Sequence, residues 1–125
     1  MAAAVVGLVL AGAACSEGSS IEVGEGRLPD SVPLDVPIPA GAEIGATTVD
    51  RAENRTEVII RVPWSAQELI RFYTIELVSG GFIVGRSEQG SDGWEIAFTR
   101  ADLIGTVLIA GEGESARALL RLNRS

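Results

Sequence analysis

The stretch Pro63-Trp64-Ser65-Ala66-Gln67-Glu68-Leu69-Ile70-Arg71-Phe72-Tyr73-Thr74-Ile75-Glu76-Leu77-Val78-Ser79-Gly80-Gly81-Phe82 is the one strong helix signal past the first fifteen residues. Ser65 stands where an N-cap is needed. Glu68, three residues on, can return a carboxylate to the Ser65 N–H, so two backbone donors that a helix start leaves unpaired are satisfied reciprocally. Pro63 keeps the incoming chain extended, and Trp64 is placed to staple onto Leu69 across the first turn. At 3.6 residues per turn, Leu69, Ile70, Phe72, Tyr73 and Leu77 share a broad side, while Glu68, Arg71, Val78 and Ser79 fall mostly off it. One side is written for burial. Gly80 or Gly81 can adopt the left-handed conformation that stops a helix, with Phe82 folding back onto it. The charges on the flank (Glu68, Arg71, Glu76) read as a solvated face, not as a catalytic cluster.

Around this helix the chain reads as strands. Glu43–Asp50 carries β-branched residues, Arg51–Arg55 is a polar turn, and Thr56–Val62 places Val58, Ile60 and Val62 on one face, which together make a hairpin. After the helix, Phe82–Ser87 is a short strand and Glu88–Gly93 a turn. Trp94–Arg100 follows, alternating with Trp94, Ile96 and Phe98 inward. Leu103–Ala110 breaks the alternation: Leu103, Val107 and Ile109 oppose Ile104 and Leu108, which are also apolar, so both faces of that strand call for cover. Ser115–Leu122 reads either as a last strand or as a helix of good helix formers. The expected fold is α+β: an antiparallel sheet of about five to six strands with one helix packed across one face, in the order β-β-α-β-β-β with an optional last strand. One helix covers one face, so the other face must meet the proline-rich segment, a second copy, another protein or a ligand.

Ahead of the domain, residues 1–14 form an uncharged apolar run that suits a signal peptide and falls short of the ~20 residues that span a bilayer. Residues 15–27 are rich in Ser, Gly and Glu and read as a flexible acidic tether. Residues 28–42 hold four of the five prolines and read as an extended strap leading into the domain at 43–125. The sequence Gly12-Ala13-Ala14-Cys15-Ser16 resembles the lipobox of bacterial lipoproteins, whose cysteine is acylated and becomes the mature N-terminus. The resemblance implies that Cys15 is the lipidation site and that the protein sits on the extracytoplasmic side of the cell membrane. Gly12 stands where an aliphatic residue is commoner, and no basic residue precedes the apolar run, as it would if the true start lay upstream. Val36–Ala42, the helix closing on Gly80-Gly81-Phe82 and the Trp94 hairpin together resemble small envelope lipoproteins, many of them actinobacterial. In topology they also resemble the helix-on-sheet domains of lipoprotein subunits in outer-membrane assembly machinery. This second resemblance implies fold and location and supplies no site residues.

Composition narrows the chemistry. The 125 residues carry a formal charge of −7, no His, and ten basic residues that are all Arg. A nucleic-acid partner is therefore not expected, and neither is a Lys or His acting as base, Schiff-base amine or metal ligand. The single cysteine allows no internal disulfide and no Cys-based zinc site. Asp92 with Glu95, or Asp50 with Glu53, are the only suggestive carboxylate pairs, and both lie at turns where such residues are ordinary. Gly111-Glu112-Gly113 is a hairpin turn, in the wrong context for phosphate. No enzyme activity, cofactor or metal is expected. The expected function is a membrane-anchored protein-interaction module of the cell envelope, pairing with another envelope protein or with itself. The alternative is a carrier of a small apolar or lipid-like ligand between helix and sheet. Trp64, Phe72, Tyr73, Trp94, Phe98, Ile104 and Leu108 are the candidate contacts for ligand or partner.

Overall fold

A computed structural model describes residues 20–125. The leader, Cys15 and the first part of the expected tether lie outside the described residues. The elements are β1 (Ile21–Glu25), β2 (Glu43–Asp50), β3 (Arg55–Val62), α1 (Ala66–Ser79), β4 (Ile83–Gln89), β5 (Trp94–Arg100), β6 (Leu103–Glu112) and β7 (Ser115–Arg124). They form one seven-stranded sheet in the order β1-β2-β3-β7-β6-β5-β4, antiparallel throughout, with the helix packed on one face. The α+β class stands, and the sheet is larger than the five to six strands expected from the sequence.

The additional strand is β1, which lies inside the segment expected to be a tether. Its register with β2 runs from Ile21 opposite Asp50 to Glu25 opposite Ala46. All five of its residues are exposed, so it is held by backbone pairing and a surface ion pair between Glu22 and Arg51 and writes no burial pattern into the sequence. The last segment resolves as strand. β7 pairs with β3 on one side and β6 on the other, at the centre of the sheet. Its Ala116, Ala118, Leu120 and Leu122 are buried in alternation with more exposed residues, and this two-sided ladder overrides the helix propensity of Ala, Leu and Arg.

The helix begins and ends as its sequence indicates. Ser65 Oγ accepts from the Glu68 N–H at 3.1 Å, and Glu68 Oε1 accepts from the Ser65 N–H at 3.0 Å. Gly81 takes φ +88°, and the Gly81 and Phe82 N–H groups donate to the carbonyls of Val78 and Leu77, which pairs carbonyls the last turn would otherwise leave open. Leu69, Tyr73 and Leu77 are fully buried against Val58, Ile60, Ile96, Val107 and Leu120 from the sheet. Since β3 and β4 run in the same direction with three strands between them, their connection must cross the sheet, and α1 is that crossover. Gly105 on β6 makes room for the Phe98 ring opposite it: a Cβ there would lie 2.3 Å from a ring carbon.

The proline-rich strap is not extended as expected. Backbone bonds from the Val32 N–H to the Pro29 carbonyl and from the Val36 N–H to the Pro33 carbonyl fold it into successive turns, which the Asp and Ser residues after the prolines favour. These turns direct Val32 and Val36 into the core while Leu34 stays exposed. The strap lies on the helix side: Ser31 and Thr56 share a hydroxyl–hydroxyl bond of 2.6 Å over the sheet. Arg100 clasps the strap to the rest. It pairs with Asp35 at 2.5 Å, donates to the Gly80 carbonyl at 2.9 Å and stacks over the Phe82 ring at 4.3 Å. Helix and strap therefore cover the same face of the sheet.

Candidate interaction surface

Because successive residues of a strand point to opposite faces, the register alone assigns the uncovered face. Ile59 on β3, Leu119 on β7 and Leu108 on β6 are direct cross-strand partners there, and each is only half-buried. They line a shallow hollow of about 180 Å³ with Ala110, Arg117 and Asp92. Toward one end of the strands, Ile104 lies across from Thr99, which in turn lies across from Ile83. Ile104 is 51% exposed and Ile83 69%. At the β1 edge, Ile21 and Val23 project from the same face, Val23 at 78% exposure. Four of the eight exposed large hydrophobic residues among the described residues thus share this one surface, the others being Leu28 and Leu34 near the strap and Ile75 and Val78 on the helix.

Most charges of the uncovered face sit in ion pairs made within the face. Arg121 Nε contacts Glu57 at 2.6 Å, Arg86 contacts Glu95 at 2.8 Å and Glu88 at 3.6 Å, and Glu112 sits between Arg61 at 3.7 Å and Arg117 at 3.6 Å. These four Arg and four Glu balance one another, while Glu43, Asp50 and Asp92 against Arg55 leave the face mildly acidic within a chain that carries −7. Exposed pairs of this kind contribute at most about 1 kcal/mol each to folding.

The candidate residues from the sequence divide between the two faces. Trp64, Phe72 and Tyr73 come together through edge-on ring contacts at 5.6 and 5.1 Å, and Phe98 meets Phe82 at 5.4 Å, all on the covered side. Tyr73 and Phe98 have essentially no exposed surface, and Trp64, Phe72 and Trp94 are half-buried against the same core. Trp94 Nε1 donates to Ser87 Oγ at 2.8 Å. Between helix and sheet, where the alternative of an apolar-ligand carrier requires a cleft, Leu69, Tyr73, Leu77, Ile96 and Phe98 are fully buried in the core. Ile104 and Leu108 lie on the opposite, open face and are not brought near the aromatic group. Sequence reading did not single out Ile59, Leu119, Ile21, Val23 or Ile83. For Ile59 and Leu119 the available signal was an apolar residue out of phase with a buried alternation, as at Leu108.

One polar group in the core stands out. Tyr73 Oη is buried without a hydrogen-bond partner among the described residues, and burial pushes the phenol well above its ordinary range. Three of the four suggestive carboxylates have ordinary partners: Asp50 Oδ1 accepts from the Glu53 N–H at 3.2 Å, Glu53 lies 3.9 Å from Arg55, and Glu95 pairs with Arg86. Among the described residues no cluster of three or more His, Cys, Asp or Glu is arranged to hold a metal ion, and no helix is long and apolar enough to cross a membrane. A hollow of about 250 Å³ lies between the strap and the β2–β3 hairpin end, floored by Val49, Leu103 and Leu122 and rimmed by Glu22, Arg51 and Arg55. Arg51 is occupied there by Glu22 at 2.9 Å. The fold and its open face define an α+β helix-on-sheet domain with one covered and one uncovered side. Comparison of the chain with protein-family models, curated proteins and solved structures finds no match in any of the three.

Proposed function

We propose that this chain is a lipid-anchored protein of the bacterial cell envelope, held to the extracytoplasmic side of the membrane through acylated Cys15. Its domain is a non-catalytic protein-interaction module that docks through the open face of the sheet. The observation that carries the docking reading is the gathering of Ile21, Val23, Ile83 and Ile104 with the half-buried Ile59, Leu108 and Leu119 on one uncovered surface. The absence of His and Lys and the pairing of Glu95 with Arg86 and of Glu53 with Arg55 support a role without catalysis. The anchor rests on the lipobox-like residues Gly12–Ser16 at the end of the apolar run.

The intact mass of the full-length protein, taken from its native membranes under complex-preserving conditions, tests both halves. The expected result is a chain beginning at Cys15, carrying acyl groups and accompanied by a stoichiometric protein partner. An unprocessed or unacylated Cys15 would remove the anchoring. A lone acylated chain holding a small apolar molecule would replace the interaction module with a carrier.

A further inference from the structure

Resting on that reading of the open face, we propose that its occupant is a second copy of this chain, docked sheet on sheet. Three observations point to self-association. First, the size fits. Seven strands spaced ~4.8 Å apart and mostly seven to ten residues long present a face on the order of 800 Å², close to what each partner contributes to a standard stable interface.

Second, charge permits it. Two molecules of net −7 repel, and a chain of this composition would ordinarily select a basic partner. The open face carries only a small part of that charge, since Arg61, Arg86, Arg117 and Arg121 balance Glu57, Glu88, Glu95 and Glu112 there and leave Glu43, Asp50 and Asp92 against Arg55. A strongly basic partner would gain little from a face whose carboxylates are mostly taken up by Arg. An identical face brings both signs on both sides, which is what an isologous contact requires.

Third, the apolar row is central. β7 is the middle strand of the seven, and Leu119 on it is flanked by Ile59 and Leu108. A two-fold axis passing near Leu119 lays the row of one copy against that of the other. Facing sheets that pack ~10 Å apart interdigitate side chains of this size.

The test uses the full-length chain in its membranes, with a photo-reactive phenylalanine analogue in place of Leu119. The expected product has twice the chain mass, and its fragments join position 119 to open-face residues such as Ile59 or Leu108 of another copy. Leu108→Glu, and separately Ile104→Glu at a more exposed site where folding is not at stake, should each reduce that product at least tenfold with unchanged far-UV circular dichroism. A double-mass product that persists in both variants overturns the assignment of the face. An adduct with a different protein overturns the second copy and leaves the interaction module standing. The absence of any adduct from position 119 overturns both.

Discussion

Leu119 and Leu120 are neighbours in the same central strand and identical in chemistry, yet one is half-exposed beside Ile59 and Leu108 and the other is fully buried between Val58 and Val107. The two strands beside it repeat this contrast, with Ile59 next to Ile60 on β3 and Leu108 next to Val107 on β6. On the covered face, helix and strap bury the central side chains of β3, β7, β6 and β5. On the open face, the apolar row is hemmed by ion pairs and ends at solvent. Apolar residues on the two sides of these strands therefore differ in position: one set is packed into the core, and the other stays at the surface, where we propose that it docks a partner.

The contrast can be broken most directly by truncating each leucine. Leu120→Ala should cost about 2–5 kcal/mol in urea unfolding, as buried Leu→Ala changes do, and a loss below about 1 kcal/mol would mean that the covered face is not close-packed. Gly105→Ala probes the same face by overfilling it. Its new Cβ would press on the Phe98 ring, with an expected loss of about 1–3 kcal/mol in the same measurement.

Tyr73→Phe should act in the opposite direction. Removing a buried hydroxyl that has no partner should raise stability by about 1 kcal/mol, and a destabilised variant would show that the hydroxyl is satisfied. Tyr73 is the sole tyrosine, so absorbance at 295 nm reports its ionisation alone. Its folded-state pKa is raised above the unfolded value of about 10. The stability linked to the protonated phenol is therefore fully present below pH 10 and declines as pH rises above it. Native protein should show no phenolate near pH 10, the signal appearing only with unfolding. A reversible native titration near pH 10 would place the ring in water.

Leu119→Ala should give the smallest effect on the isolated fold, below about 1 kcal/mol. Measured at increasing protein concentration, the gap between wild type and this variant should widen if the open face associates, because association stabilises the folded chain by mass action. A gap independent of concentration would sharpen the contrast differently, leaving the open face as ordinary surface.

Much of this architecture was legible in the chain. The capping box at Ser65 and Glu68, the stop at Gly81 and the stripe of Leu69, Tyr73 and Leu77 are local patterns, each set by residues within a turn or two of one another. The hairpins at 51–55 and 101–102 likewise follow from turn residues between alternating strands. The two apolar sides of β6 even indicated that one face would lack a cover. Other features were beyond local reading. β1 buries no side chain, so nothing in Ile21–Glu25 distinguishes a strand from a tether until the β2 edge offers it a ladder. Ser115–Arg124 has the residues of a helix and becomes a strand because β3 and β6 leave a gap between them that it alone fills.

The sequence by itself determined the helix, its buried stripe, the meander that follows and the excess of apolar residues over what one helix can cover, because these depend on spacing along the chain. Only the tertiary structure decided that the strap joins the helix on the same face, that β7 occupies the centre, and that Ile21, Val23, Ile83 and Ile104 share a surface with Ile59, Leu108 and Leu119. Those outcomes depend on which distant strands pair, and in a sheet a single register assigns every side chain to one face or the other.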